Sequence, residues 1–278
     1  DLVVETSGGE PEAKAVAGSV EQLDLDALFN MGFRDERAGD GKGGWTDQGP
    51  ANDLAMMKPG MIECFGLPLR VTDPARNSGK SCLVISKEQG KFPASAEITL
   101  APAAAGKRFL YLLHASAWTP PRGAAVGKIV AEYKKGSARE FPVLAGRDCG
   151  NWWQPRSLTN GAVAWVGENN EAFVGLYLSQ FEIPGEPVKL RFVPEGAGPE
   201  SPVWMIVAAA LGDSKLELAQ ADTPCFLTAG EHYTELEFSG KTVPGSPLDF
   251  SGSLDAPAGK HGPVTVTKSG HFSFRDAP

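Results

Sequence analysis

Apolar residues along this chain come in short runs separated by Gly, Pro, Asp and Ser, and few stretches carry helical spacing. Apolar runs of this length, bounded by turn residues, predict β-strands. Candidate strands lie at residues 61–65, 67–72, 81–86, 97–100, 108–118, 126–133, 139–144, 172–181, 188–193 and 203–211. Val188, Leu190 and Phe192 alternate with Lys189 and Arg191, so that strand has one wet face. The run 108–118 is apolar on both faces and belongs in the centre of a sheet. About ten strands in roughly 150 residues predict an all-β protein, a jelly-roll β-sandwich.

The pattern changes after Gly212. Residues 213–220 suit a short connector, 231–238 alternate like a strand, and 244–262 are rich in Gly, Pro, Ser and Asp and read as a linker. Residues 264–267 and 271–275 then flank Lys268-Ser269-Gly270, a three-residue hairpin loop with Gly where a left-handed residue is wanted. The expected organisation is an N-terminal tail at 1–19, a sandwich at 20–212, and a linker with a hairpin at 213–278.

Composition narrows the partners. With 42% hydrophobic residues a core can be buried, and the 33 Gly and 22 Pro are spread along the chain as turn punctuation. The net charge of −8 argues against a sequence-independent grip on nucleic acid, which needs clustered Lys and Arg. It also supplies no electrostatic attraction to an anionic membrane. The longest apolar run, 203–211, is far short of the roughly 20 residues a bilayer requires. Neither nucleic acid nor membrane is an expected partner.

Several motifs fail on context. Gly39, Gly41 and Gly44 spell G-x-G-x-x-G, but Trp45 to Pro50 cannot open the helix a dinucleotide site needs. Gly79-Lys80-Ser81 resembles the end of a phosphate-binding loop whose earlier Gly is here Pro74. No G-x-S-x-G elbow occurs, and the four histidines lack metal-ligand spacing. The four cysteines form no C-x-x-C pair. Cys82 reads as a small buried hydrophobe, and one disulfide is compatible with the count without being identified by it.

Two stretches could carry chemistry. The segment from Asp35 to Asp53 is Gly-rich and holds Asp35, Asp40 and Asp47, oxygen donors of the kind Ca²⁺ takes in irregular coordination. The competing reading is a polar loop whose Asp and Asn side chains cap turns. The second is the aromatic set of Trp45, Trp118, Trp152, Trp153, Trp165 and Trp204. Sugar C–H faces stack on indoles while hydroxyls need polar partners, so a site wants aromatics beside convergent polar groups on a loop. Asp148, Asn151, Trp152, Trp153 and Arg156 supply that mixture, with Trp45 and His114 as further candidates. Against this, one of the paired tryptophans can plug the sandwich end. His114 shares a strand face with Trp118 and suits a satisfied core histidine, and Trp204 suits the core.

A family resemblance rests on particular residues. Leu23-Asp24-Leu25-Asp26, Gly43-Gly44-Trp45-Thr46-Asp47, Tyr111-Leu112-Leu113-His114 through Trp118, and Asn151-Trp152-Trp153 resemble galactose-binding-like β-sandwich regions of large secreted bacterial glycoside hydrolases, over roughly residues 20 to 212. Pro244 to Ser251, Leu254 to Gly262 and Gly270 to Asp276 look like the lead-in to a TIM-barrel catalytic domain. The resemblance implies a secreted, cell-surface or periplasmic module that binds polysaccharide or oligosaccharide beside a catalytic domain lying outside this sequence. It carries over no catalytic residue. Two alternatives stand beside it: a structural spacer without a sugar site, and a glycosidase in its own right, for which Glu168, Glu171 and Glu182 are candidate acids.

Overall fold

The computed structural model describes residues 19–87, 92–196, 201–218, 244, 246, 249 and 259–275. The chain divides into two units, residues 1–223 and 224–278. The first contains β1 (Glu21–Gln22), β2 (Gly60–Cys64), β3 (Leu67–Val71), β4 (Leu83–Ile85), β5 (Ala96–Thr99), β6 (Phe109–Ala117), β7 (Ala125–Tyr133), β8 (Arg139–Leu144), β9 (Gly161–Glu168), β10 (Phe173–Glu182), β11 (Pro187–Pro194) and β12 (Val203–Gly212). Among the described residues there is no α-helix, only short 3-10 turns. All strand pairings are antiparallel, and the architecture is sandwich-like.

One sheet runs β1-β12-β6-β10-β9, with β4 also paired to β12; the other runs β5-β11-β7-β8. Strand β6 is central, as its two apolar faces require. Leu110 and Leu112 join Ile129, Leu190, Phe192 and Trp204 between the two sheets. Tyr111, Leu113 and Ala115 point the other way, into a second apolar cluster with Met31, Trp45, Leu67, Leu69 and Met205. The β2–β3 hairpin and the loops before it therefore cover the outer face of the first sheet. A sheet buried on both faces reads as continuous hydrophobic sequence, which is the pattern of β6 and β12.

Trp204 spans the space between the sheets. Its indole stands edge-on to Phe192, 6.1 Å between ring centres. It also lies against Gly127 of β7, where a Cβ would sit 2.6 Å from the indole ring. Glycine is thus the residue that lets the sheets close at this point.

The first and last strands of this unit are tied together among the described residues. Glu21 pairs with Leu211, so β1 lies beside the last residues of β12. The nearly buried Lys107 ammonium donates to the Ser19 carbonyl at 2.8 Å, to the Ser19 hydroxyl, and to the Asp213 carboxylate at 2.9 Å.

In the second unit, β13 (Val264–Val266) and β14 (Phe272–Phe274) form the hairpin anticipated from the sequence. Gly270 takes φ +82°, the left-handed conformation that its loop position needs. Val264 pairs with Phe274 and Val266 with Phe272, which puts four exposed apolar side chains on one face. The predicted strand at 231–238 and most of the 244–262 linker lie outside the described residues.

Candidate functional site

The loop between β8 and β9 crosses the end of the first sheet where β6 finishes and β10 begins. It is stitched to both strands. Gly150 and Trp152 flank Ser116: Ser116 N–H donates to the Gly150 carbonyl, and Trp152 N–H to the Ser116 carbonyl, each at 2.9 Å. On the other side Gly175 N–H donates to the Trp152 carbonyl and Gln154 N–H to the Phe173 carbonyl, each at 2.8 Å. Gly150 must be glycine, because a Cβ would fall 2.5 Å from the Tyr177 ring. The Tyr177 hydroxyl donates to the Asn151 carbonyl at 2.8 Å and accepts from Arg156 N–H at 3.0 Å.

Within this loop the structure separates residues that the sequence grouped. Trp152 is buried and packs edge-on against Trp45, 5.2 Å between ring centres, so it is the plug of the two readings. Trp45 is wholly buried and offers no face to a ligand, which corrects its place among the candidate sugar contacts. Trp153 is half-buried, 5.5 Å edge-on from Trp152, and Asn151 and Arg156 are exposed. The Asn151 carboxamide accepts from Trp153 N–H at 3.1 Å, a local turn that sets the indole's direction.

Asp148 is also corrected, from ligand contact to anchor. Its carboxylate is fully buried, accepting from Leu144 N–H at 2.8 Å, Arg147 Nε at 2.9 Å and Asn160 Nδ2 at 2.7 Å. His114 is corrected likewise. Its Nδ1 lies 3.0 Å from the Trp204 indole N–H, a group that can only donate, so Nδ1 accepts and the proton sits on Nε2. Nε2 then donates to the Asp148 carbonyl at 3.0 Å, which also accepts from the Ser179 hydroxyl. Burial pushes this imidazole down to about 4, against the opposing pull of Asp148.

Trp118 joins the site instead. The strand predicted to reach it ends at Ala117, and Trp118 turns out with φ +50° and 45% exposure. Gln154, exposed on the neighbouring loop, has φ +49°, and Phe173 at the start of β10 is 49% exposed. Left-handed backbone at non-glycine residues costs about 1–3 kcal/mol each, and of the five such residues among those described Trp118 and Gln154 lie here while Asp47, Phe65 and Ser78 lie elsewhere. The rim thus combines Trp118, Trp153 and Phe173 with Asn151, Gln154 and Arg156. The predicted strand at 172–181 already places Phe173 at the start of β10, but nothing local in the sequence marks that its side chain, or that of Gln154, stays exposed.

The Gly-rich segment folds as a tight acidic loop. One carboxylate oxygen each from Asp35, Asp40 and Asp47 lies within 4.8 Å of the others. Asp35 is 1% exposed and accepts from Gly49 N–H at 2.9 Å and Arg37 N–H at 3.1 Å. Asp47, at φ +55°, accepts from the N–H groups of Asp40 and Gly41. Gly44 allows the approach, since a Cβ there would meet that of Asp35 at 2.4 Å. The three carboxylates are hard anionic oxygens of the kind Ca²⁺ takes as part of a set of about six to eight, and each also accepts backbone N–H groups of the loop.

The candidate glycosidase acids are not assembled into one group. Glu168 and Glu171 lie at the β9–β10 turn, while Glu182 ends β10 and pairs with Arg108 at 2.6 Å. The length of β10 separates them by about 30 Å, against about 5–9.5 Å for a catalytic pair. Cys64, Cys82 and Cys149 are buried free thiols, and Cys225 lies outside the described residues. Burial pushes the Cys64 and Cys149 thiols up to about 11 and about 12. The chain matches no protein-family model, no curated protein and no solved structure. What stands is an antiparallel, sandwich-like all-β protein with an aromatic and polar rim at one end of its main sheet.

Proposed function

We propose that this chain is a non-catalytic carbohydrate-binding module that takes a polysaccharide or oligosaccharide at the Trp118–Trp153 rim. The observation that carries the reading is the pairing of solvent-reaching indoles with Asn151, Gln154 and Arg156 on a loop held at both sides by backbone hydrogen bonds. An indole face stacks on sugar C–H groups and the amides and guanidinium meet hydroxyls, with little ordering cost because the loop is already fixed. In this reading the fold is a galactose-binding-like jelly roll, the setting is secreted or at the cell surface, and the module serves a linked glycoside hydrolase domain. Ca²⁺ at Asp35, Asp40 and Asp47 would brace the covering loops.

The test is affinity electrophoresis of the chain through gels containing plant, algal and host glycans, with Ca²⁺ and then with EDTA. Retention on one glycan class, lost in Trp153→Ala with unchanged melting temperature, supports the module. No retention on any glycan leaves the spacer, which the burial of Trp45, Trp152, Asp148 and His114 already suits.

A further inference from the structure

A cavity of about 660 Å³ lies at the opposite end of the sandwich from the rim, between the β7–β8 turn and the β10–β11 turn. Strand β10 runs from one to the other, about 30 Å. The size falls inside the range of about 300–1,000 Å³ typical of small-ligand sites. Its lining includes Tyr133, Lys134, Lys135, Arg139 and, as its one acidic residue, Glu186.

Two features set this lining apart from a solvated turn. The chain carries a net charge of −8, yet three cations converge here against one carboxylate. Elsewhere on this second sheet Lys128 and Lys189 are paired with glutamates, whereas Lys134, Lys135 and Arg139 form no ion pair among the described residues. The pocket is also held in shape. Lys134 N–H donates to the Glu186 carbonyl at 3.2 Å, joining the two turns. The Arg139 guanidinium stands 5.5 Å over the Tyr133 ring, and Gly185, at φ +106°, leaves room for that ring where a Cβ would approach to 3.1 Å. The Tyr133 hydroxyl itself is buried without a hydrogen-bond partner, so it is the ring that faces Arg139.

We propose that this cavity binds the anionic substituent, a sulfate or a carboxylate, of an acidic polysaccharide. The inference rests on the carbohydrate reading and adds the class of glycan. Arg139 offers a planar fork of N–H donors that matches a carboxylate or sulfate edge, and the two lysines add mobile point charges. A compact cluster on an acidic protein suits single charged substituents spaced along a sugar chain. A nucleic-acid strand, with a phosphate at every residue, would meet repulsion around the cavity.

The experiment compares dextran with dextran sulfate, which differ only in the anionic group, and adds polygalacturonate for carboxylate and single-stranded DNA as a non-sugar polyanion. Binding is read at low and at high salt. Retention on dextran sulfate or polygalacturonate beyond that on dextran is expected, weakening with salt because exposed charges are screened. Lys134→Ala/Lys135→Ala and Arg139→Gln should each lower that affinity about tenfold, the scale for losing charge-assisted contacts. Tyr133→Ala should lower it as well, since the ring over which the Arg139 guanidinium stands is removed, whereas the control Tyr133→Phe should leave it unchanged because the hydroxyl is buried. Trp153→Ala should leave this component intact. Unchanged retention in the cavity variants, or equal loss of DNA binding in them, overturns the inference. A neutral glycan bound through Trp153, with no extra retention on either acidic polymer, would overturn the cavity alone. Acidic glycan binding lost in the cavity variants, with no glycan sensitive to Trp153→Ala, would instead overturn the rim.

Discussion

Acidification should destabilise the sandwich through His114. Its imidazole is neutral in the folded protein because Nδ1 must accept from the Trp204 indole at 3.0 Å. A second proton would set two donors against each other inside the core. The folded value of about 4 compares with an ordinary 6.5. The gap of about 2.5 pH units, at about 1.36 kcal/mol each, amounts to roughly 3 kcal/mol. The sign follows from which state takes up the proton. Between pH 6.5 and about 4 the unfolded chain binds a proton that the folded one refuses, so stability present above pH 6.5 is lost as pH falls towards 4. His114→Gln keeps an acceptor for Trp204 but cannot titrate. Urea unfolding of both proteins from pH 7.5 to 4 isolates the effect, and all six tryptophans lie in residues 1–223, so fluorescence reports that unit. The wild-type advantage over the variant should shrink by roughly 3 kcal/mol across the window. Parallel stability curves would refute the neutral, donor-locked imidazole.

Other substitutions separate packing from recognition. Gly127→Ala should cost about 1–3 kcal/mol in urea unfolding, because its Cβ would overlap the Trp204 ring between the sheets. Trp152→Ala should cost about 3–5 kcal/mol as a buried indole is lost, whereas Trp153→Ala should change the melting temperature little and weaken glycan retention. Adding Ca²⁺ should raise the melting temperature of the wild type and fail to do so in Asp47→Asn, read by differential scanning fluorimetry with and without EDTA.

The strand pattern was legible because burial on alternate or on both faces leaves a direct mark on residue choice. The run at 108–118 carries that mark and became β6. The strand Gly161–Glu168 escaped notice. Its buried residues are Gly161 and Ala162, too small to print an apolar stripe, and Val163 to Trp165 are only half covered on a sheet edge. The site was half legible. Asn151, Trp153 and Arg156 lie where a polar, aromatic loop suggests. Trp152 is buried because its backbone is pinned between Ser116 and Gly175 with its ring against Trp45, a long-range fact. Asp148 looks like a free carboxylate until Leu144, Arg147 and Asn160 close around it. The three aspartates of the Gly-rich loop converge because that loop is short, so proximity in sequence was enough.

Lys107 gives the sandwich a mechanical character. Through Ser19 and Asp213 it bolts the strand that leads in to the strand that leads out, next to the Glu21–Leu211 pair. The body of the domain is therefore a detour in the chain, and tension applied between Ser19 and Asp213 meets this clasp together with the β1–β12 pairing. Antiparallel neighbours pulled from the same end separate one pair at a time, like a zipper. The Lys107 contacts lie at the open end of that zipper, and beyond them the load reaches β12, whose other edge is the central β6.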